Sequence, residues 1–89
     1  MNADVSMAAV AASPIVFEVL ADLSPGLLPR LLQPLARRNL VPRHLEARQA
    51  GAGMRICIGL DDIPSPTLAL IEGNLRQIVG VAELCCRSA

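Results

Sequence analysis

The chain has 89 residues, enough for one domain and too few for a second. Apolar residues make up 53% of it and only one residue is aromatic, so the core must be aliphatic, and another chain is expected to cover part of the apolar surface. Eight arginines balance eight acids, which excludes attraction to nucleic acid or to an anionic membrane by bulk charge.

The N-terminal segment, residues 1–13, is rich in alanine and carries Asp4 but no basic residue. It lacks the positively charged start of a secretory signal, and Pro14 and Glu18 interrupt the apolar run before the roughly 20 residues that a membrane span needs. We expect residues 1–13 to be a flexible tail and residues 14–87 to form a single domain. The protein is expected to be cytoplasmic, with no membrane partner.

Residues 15–21 alternate as a β-strand does, and both resulting faces are largely apolar. Such a strand suits the centre of a sheet, with helices on one face and a partner over part of the other.

A break at residues 22–26 ends the strand, and helical spacing follows. Ser24 is the predicted N-cap because serine before Pro25 is a typical helix start. Unpaired N–H groups at such a start favour a carboxylate or another anion.

The first helix is predicted to bury a row of leucines at helical spacing, namely Leu28, Leu31, Leu32 and Leu35. Pro34 should bend this helix because it removes a mid-helix hydrogen bond. Asn39 can adopt the left-handed conformation that ends a helix.

Residues 44–49 and 54–60 both alternate, and the glycine-containing turn at 51–53 between them predicts a hairpin. Ser65 with Pro66 repeats the capped start of a helix. The buried row of this second helix is predicted to be Leu68, Ile71, Leu75 and Ile78.

Gly80 is predicted to end the second helix, and residues 81–86 form a last short strand. The element order is therefore βαββαβ, whose usual packed form is the ferredoxin-like sandwich of the α+β class: a four-stranded antiparallel sheet with two helices on one face. The first and third strands would be central. A cross-strand ion pair between Glu18 and Arg55 is expected on the open face.

The three cysteines, Cys57, Cys85 and Cys86, do not suit a disulfide framework, because their number is odd and two of them are adjacent. We expect reduced thiols. Cys85 and Cys86 should point to opposite sides of their strand, so that one packs in the core and the other lies near an edge.

Three stretches carry a family resemblance. Residues 19–28, VLADLSPGLL, read as a strand, a Pro-Gly turn and a leucine-rich helix; residues 35–40 lead into 45–47; and residues 71–81, IEGNLRQIVGV, read as a helix and a Val-x-Val strand. At these spacings they resemble the ACT domain, and within it the small regulatory subunit of acetolactate synthase (acetohydroxyacid synthase). The resemblance covers about residues 16–85.

The resemblance implies a regulatory subunit without catalytic residues, metal or cofactor of its own. It would form a homodimer or a higher homo-oligomer, and would bind and activate the thiamine-diphosphate-dependent large subunit of acetolactate synthase in branched-chain amino-acid biosynthesis. The helix surface and the outer edge strand at 44–49 are both candidate contacts, because an unpaired strand edge invites pairing. The alternative is a freestanding ACT protein that senses an amino acid or another small anion.

The resemblance also implies where a small effector, usually an amino acid, would bind: the first turn of one chain, facing another chain. The implied ligand-binding residues are Asp22, Leu23, Ser24, Pro25, Gly26, Leu27 and Val41, with the amides of Gly26 and Leu27 offered to a carboxylate. The family commonly has Asn or Asp where Leu23 stands, and a polar residue where Val41 stands. Because both are apolar here, an effector's ammonium would lose its acceptor at a cost of about 1–3 kcal/mol, and weak or absent feedback is expected.

The same residues bear on several other functions. The first turn is also compatible with an ordinary capped turn. His44, Glu46 and Glu18 lack the spacing of a metal site and are expected to form a solvated or interfacial polar face. An acylphosphatase-like hydrolase would need an arginine and an asparagine that converge on a phosphate at the first turn, and residues 22–26 contain no arginine. An RNA-binding sheet would need aromatic side chains on its open face, whereas Phe17 is assigned to the covered face.

Overall fold

The computed structural model describes residues 14–88, so the predicted tail lies outside the described residues. Six elements occur in the predicted order, and each strand lies within two residues of its predicted ends. They are β1 (Ile15–Asp22), α1 (Leu27–Ala36), β2 (His44–Ala50), β3 (Gly53–Leu60), α2 (Ser65–Arg76) and β4 (Val81–Ser88).

The four strands form one antiparallel sheet in the order β2-β3-β1-β4, which confirms that the first and third strands are central. Alternation places Phe17 and Val19 of β1 on the same side as Ile58 and Ile56 of β3. These residues are completely or almost completely buried.

Both helices cover this one face. Leu31 of α1 and Ile71 of α2 are fully buried and belong to the same core cluster as Phe17. All side chains of that core are apolar, and Phe17 lies on the covered face as predicted. The predicted α+β ferredoxin-like sandwich is therefore confirmed.

The prediction that Ser24 caps α1 is wrong. The N-cap residue is Gly26, with no side-chain hydrogen bond, and the Ser24 carbonyl instead accepts the Leu27 N–H at 3.1 Å. With φ −86° and ψ −3° at Gly26, residues 24–27 form a β-turn with Pro25 at its favoured second position. Ser24 and Pro25 therefore belong to the turn before the helix.

The buried row of α1 also differs from the predicted one. Leu27 is fully buried, whereas Leu28 and Leu32 are only half-buried. The row facing the core consists of Leu27, Leu31, Pro34 and Leu35, which is the helical spacing counted from the actual first residue. At the other end of the helix, Asn39 has φ 58°, which confirms its predicted left-handed conformation.

The second helix likewise begins without a serine cap: Pro64 is the N-cap residue and Ser65 is already helical. The helix ends at Arg76, and Gly80, with φ 104°, lies in the loop that follows. The predicted end at Gly80 is therefore four residues too late.

The edge strand β2 is the least covered element of the sheet, because all seven of its residues are exposed. Leu45 and Ala47 lie on the side of the sheet that carries the helices, opposite Ile58 and Ile56 of β3. Leu45 is nevertheless 41% exposed, so the two helices leave both faces of β2 uncovered.

Neither helix within residues 14–88 has the length and hydropathy that crossing a bilayer requires.

Candidate functional site

The first turn, residues 22–26, joins the end of β1 to the start of α1. The backbone of Asp22 is held in place by a hydrogen bond from its N–H to the carbonyl of Gly80, at 2.8 Å. Asp22, Leu23, Pro25 and Gly26 are exposed, and Ser24 is half-buried. The turn is thus a fixed and accessible surface at one end of the sheet.

Few backbone amides at this helix start are free for an anion. Leu27 donates its N–H to the Ser24 carbonyl, and Pro29 has no N–H to offer. Within residues 14–88, Gly26 and Leu28 donate no backbone hydrogen bond, so their two amides could meet a carboxylate. The Leu27 N–H, which the resemblance implies as a donor to a carboxylate, is therefore already paired within the turn, and the Leu27 side chain is fully buried.

An open concavity of about 330 Å³ lies beside the turn. Its lining consists of Leu23, Ser24, Pro25, Leu28 and Met54. Apart from the Ser24 hydroxyl these side chains are apolar, so the concavity suits an aliphatic group and offers no charged partner to an ammonium. Leu28 and Met54 were missed from the sequence, because the first was assigned to the buried row and the second to β3.

Gly80 supports the turn from the loop before β4. A Cβ at Gly80 would lie 3.3 Å from Leu27 Cδ1 and 3.8 Å from Asp22 Oδ2. Together with its positive φ, this close approach requires a glycine at that position. The β1–α1 turn and the α2–β4 loop are therefore packed against each other.

Val41 is not part of this site within one chain. It is 83% exposed and lies three residues before His44, which pairs with Gly59 near the start of β1. Asp22 stands at the opposite end of β1, and an eight-residue strand spans roughly 25 Å. A site containing both Val41 and the first turn would need a second chain.

The open face of the sheet carries a row of charges. Arg87 Nη2 donates to Glu18 Oε2 at 2.7 Å, and Arg48 Nη2 donates to Glu46 Oε2 at 2.9 Å. These hydrogen bonds, and then the charges of the arginines, hold the pKa of each glutamate carboxyl below its usual value. The predicted partner of Glu18 was wrong: Glu18 lies opposite Cys57 and Cys85, and Arg55 lies opposite Leu20.

His44 lies close to this row, with its Nε2 3.9 Å from Glu46 Oε1. The described residues contain no group of three or more His, Cys, Asp or Glu side chains that could hold a metal ion. Glu18 and Glu46 each accept a hydrogen bond from an arginine.

The cysteines are free thiols, with Cys85 exposed and Cys86 half-buried against the core. The predicted division between a packed and an exposed thiol is confirmed. Burial, followed by the charge of Glu72, raises the pKa of the Cys86 thiol.

Comparisons with known proteins show similarity in structure only. No protein family and no curated protein matches the sequence. Among solved structures, the ACT domain from GTP pyrophosphokinase of Chlorobium tepidum matches 86% of this chain and all of its own, with a TM-score of 0.73 and 9% identity. The C-terminal domain of the MgtC protein from Mycobacterium tuberculosis matches 86% of this chain and 87% of its own, with a TM-score of 0.72 and 13% identity.

A third similar structure is the regulatory subunit of aspartate kinase from Thermus thermophilus, with a TM-score of 0.64 and 18% identity. The match covers 86% of this chain and 53% of that subunit, so the chain spans about half its length. At these identities the likeness concerns the fold, and function has to be argued from the site. The chain has the ACT-like ferredoxin-type fold, which it shares with the ACT domain from GTP pyrophosphokinase.

Proposed function

We propose that this chain is a non-catalytic ACT-like regulatory module that acts as a homodimer or higher homo-oligomer. Its partner would be the large subunit of acetolactate synthase in branched-chain amino-acid biosynthesis, which it would bind and activate. The single observation that carries the proposal is the exposure of all seven residues of β2, on both faces and along its outer edge. Such a strand offers a surface for another chain rather than side-chain chemistry.

The first turn supports a weak response to amino acids. Its two free amides suit a carboxylate, and the concavity beside it suits an aliphatic side chain. An ammonium, however, would find the apolar Leu23 in place of a partner, and a charged group without its hydrogen bond costs at least about 1–3 kcal/mol. We therefore propose that valine-like effectors bind weakly or not at all.

The proposal is tested by titrating the purified chain into an acetolactate synthase large subunit and measuring acetolactate formation. Turnover should rise and saturate as the chain is added. The variant carrying Leu45→Lys and Ala47→Lys, which changes only exposed side chains of β2, should stimulate less if β2 supports the active assembly. An unchanged turnover over the whole titration would refute the role as an activating subunit.

The alternative is a freestanding ACT protein that senses an amino acid or another small anion, and the amides of Gly26 and Leu28 favour it. Thermal unfolding in the presence of each amino acid separates the two functions. A sensed ligand at 100 times its dissociation constant stabilises the folded state by about 2.7 kcal/mol. A clear shift with one amino acid and no effect on the synthase would favour the alternative.

A further inference from the structure

A second concave site lies between α1 and the C-terminal end of α2. Its volume is about 310 Å³, and no strand contributes to it. The polar side chains that line it are Arg30, Gln33 and Arg37 of α1 and its C-terminal turn, with Asn74 of α2 and Gln77 just beyond. Pro34, buried between the helices, and the half-buried Ile78 provide apolar contacts.

The charge of this interhelical cleft is positive in a chain whose net charge is zero. Residues 27–40 contain three arginines and no acid, and no carboxylate lines the cleft. In the part of the chain that the structure describes, Arg30 and Arg37 form no salt bridge, and neither do Arg38 and Arg55, whereas the other four arginines, Arg43, Arg48, Arg76 and Arg87, each have an acidic partner.

One of the two arginines is already oriented. Arg30 donates from Nε to the Gly26 carbonyl at 3.0 Å, which leaves the outer nitrogens of its guanidinium free to bind a ligand. Arg37 lies seven residues further along, or about 10 Å along a helix axis. A guanidinium presents its donors in a planar fork that matches carboxylate and phosphate oxygens.

The facing side of the cleft supplies carboxamides rather than charges. Asn74 and Gln77, with Gln33, can donate or accept hydrogen bonds, and they would contact the polar middle of a ligand held at both ends by arginine. A volume near 300 Å³ lies at the small end of ligand sites. We infer that the interhelical cleft binds a small organic dianion, with one acidic group at Arg30 and the other at Arg37.

The test uses the uniformly ¹⁵N-labelled protein and two ligands with an acidic group at each end, glutarate and 2-phosphoglycolate, which distinguish a dicarboxylate from a phosphate-bearing acid; both are called dianions for their two acidic groups, although the phosphate of the second carries close to two charges at neutral pH. Pentanoate, with the chain length of glutarate and one carboxylate, is the matched control ligand at equal ionic strength. The side-chain amide signals of Gln33, Asn74 and Gln77 should shift with at least one dianion, and those of Gln49, on β2, should not. Pentanoate should produce much smaller shifts.

Arg30→Gln and Arg37→Gln should each weaken binding of the active dianion about ten-fold or more, since a hydrogen bond to a charged group contributes a factor of this size. Arg55→Gln, which removes an exposed arginine of the open sheet face, is the matched control and should leave the affinity unchanged. The inference is overturned if neither dianion moves the three carboxamide signals, if pentanoate binds as well, or if Arg55→Gln weakens binding as much as the cleft variants do.

Discussion

Glu18 of β1 and Arg87 of β4 form an ion pair on the open face of the sheet, with 2.7 Å between Oε2 and Nη2, although 69 residues separate them in the chain. The pair joins a central strand to an edge strand through side chains as well as through the backbone. It makes the stability of the sheet depend on the ionisation of one carboxylate.

The direction in which the stability changes with pH follows from the pKa of Glu18. The pKa of Glu18 is lowered in the folded protein, so its contribution to stability is present above the ordinary carboxyl pKa and is lost as the pH falls through the lowered folded value. Glu18→Gln should therefore lose less stability than the wild type between pH 7 and pH values well below 4.5. Urea unfolding midpoints at both ends of this range measure the difference. Glu83→Gln, at an exposed carboxylate of β4, is the control and should follow the wild type more closely.

Because both helices pack on one face of the sheet, we expect two substitutions in the shared core to lower the stability strongly. Leu31→Ala and Ile71→Ala should each lower the free energy of unfolding by about 2–5 kcal/mol, because both side chains are fully buried in the same core cluster. Leu70→Ala, next to Ile71 but 59% exposed, should change it by no more than about 0.5 kcal/mol. Equal losses at Leu70 and Ile71 in urea denaturation would contradict the packing of α2.

Two glycines should respond to alanine with opposite signs. Gly80→Ala should destabilise the fold by about 1–3 kcal/mol, because Gly80 has φ 104° and its new Cβ would press against Leu27. Gly73→Ala, within α2 and with nothing within 4 Å of the new Cβ, should stabilise it by about 0.4–1 kcal/mol. Thermal or urea unfolding of the two variants side by side provides the measurement. A stabilising Gly80→Ala would show that the two loops are not packed together.

If the protein dimerises through β2, as proposed, substitutions on this strand should raise the dimer dissociation constant. Leu45→Lys combined with Ala47→Lys should raise the dimer dissociation constant about ten-fold or more, because symmetry brings the new charges together and like charges at an interface cost several kcal/mol. Sedimentation equilibrium measures the constant. Ala82→Lys, on the other edge strand, is the control. If it alone dissociates the oligomer, β4 and not β2 forms the contact.

The adjacent thiols should differ in reactivity. In single-cysteine variants, iodoacetamide at pH 8 should modify Cys85 faster than Cys86, because Cys86 is half-buried and its raised pKa leaves less thiolate at that pH. Mass spectrometry over a time course gives both rates. The difference should disappear in urea, where burial is lost, and equal rates in the folded protein would contradict the packing of Cys86 against the core.

The local pattern of apolar and polar residues predicted the secondary-structure elements well. Alternation within β1, with both faces apolar, indicated a central strand because the side-chain period of a strand is a property of the strand itself. Asn39 and Gly51 likewise have the positive φ values, 58° and 61°, that their residue types favour in turns. The helix starts were less well predicted, because Ser24 with Pro25 fits a β-turn as well as it fits a capped helix.

The amino-acid sequence by itself determined the order βαββαβ and the aliphatic core, because these follow from short-range periodicity and composition. Only the tertiary structure decided which rows of side chains meet. Alternation does not set the register between strands, so it could not place Arg87, rather than Arg55, beside Glu18. The interhelical cleft, too, exists only because the packing of the helices brings Arg30 and Arg37 next to Asn74 and Gln77. The sequence pattern of neither helix predicts that these residues lie together.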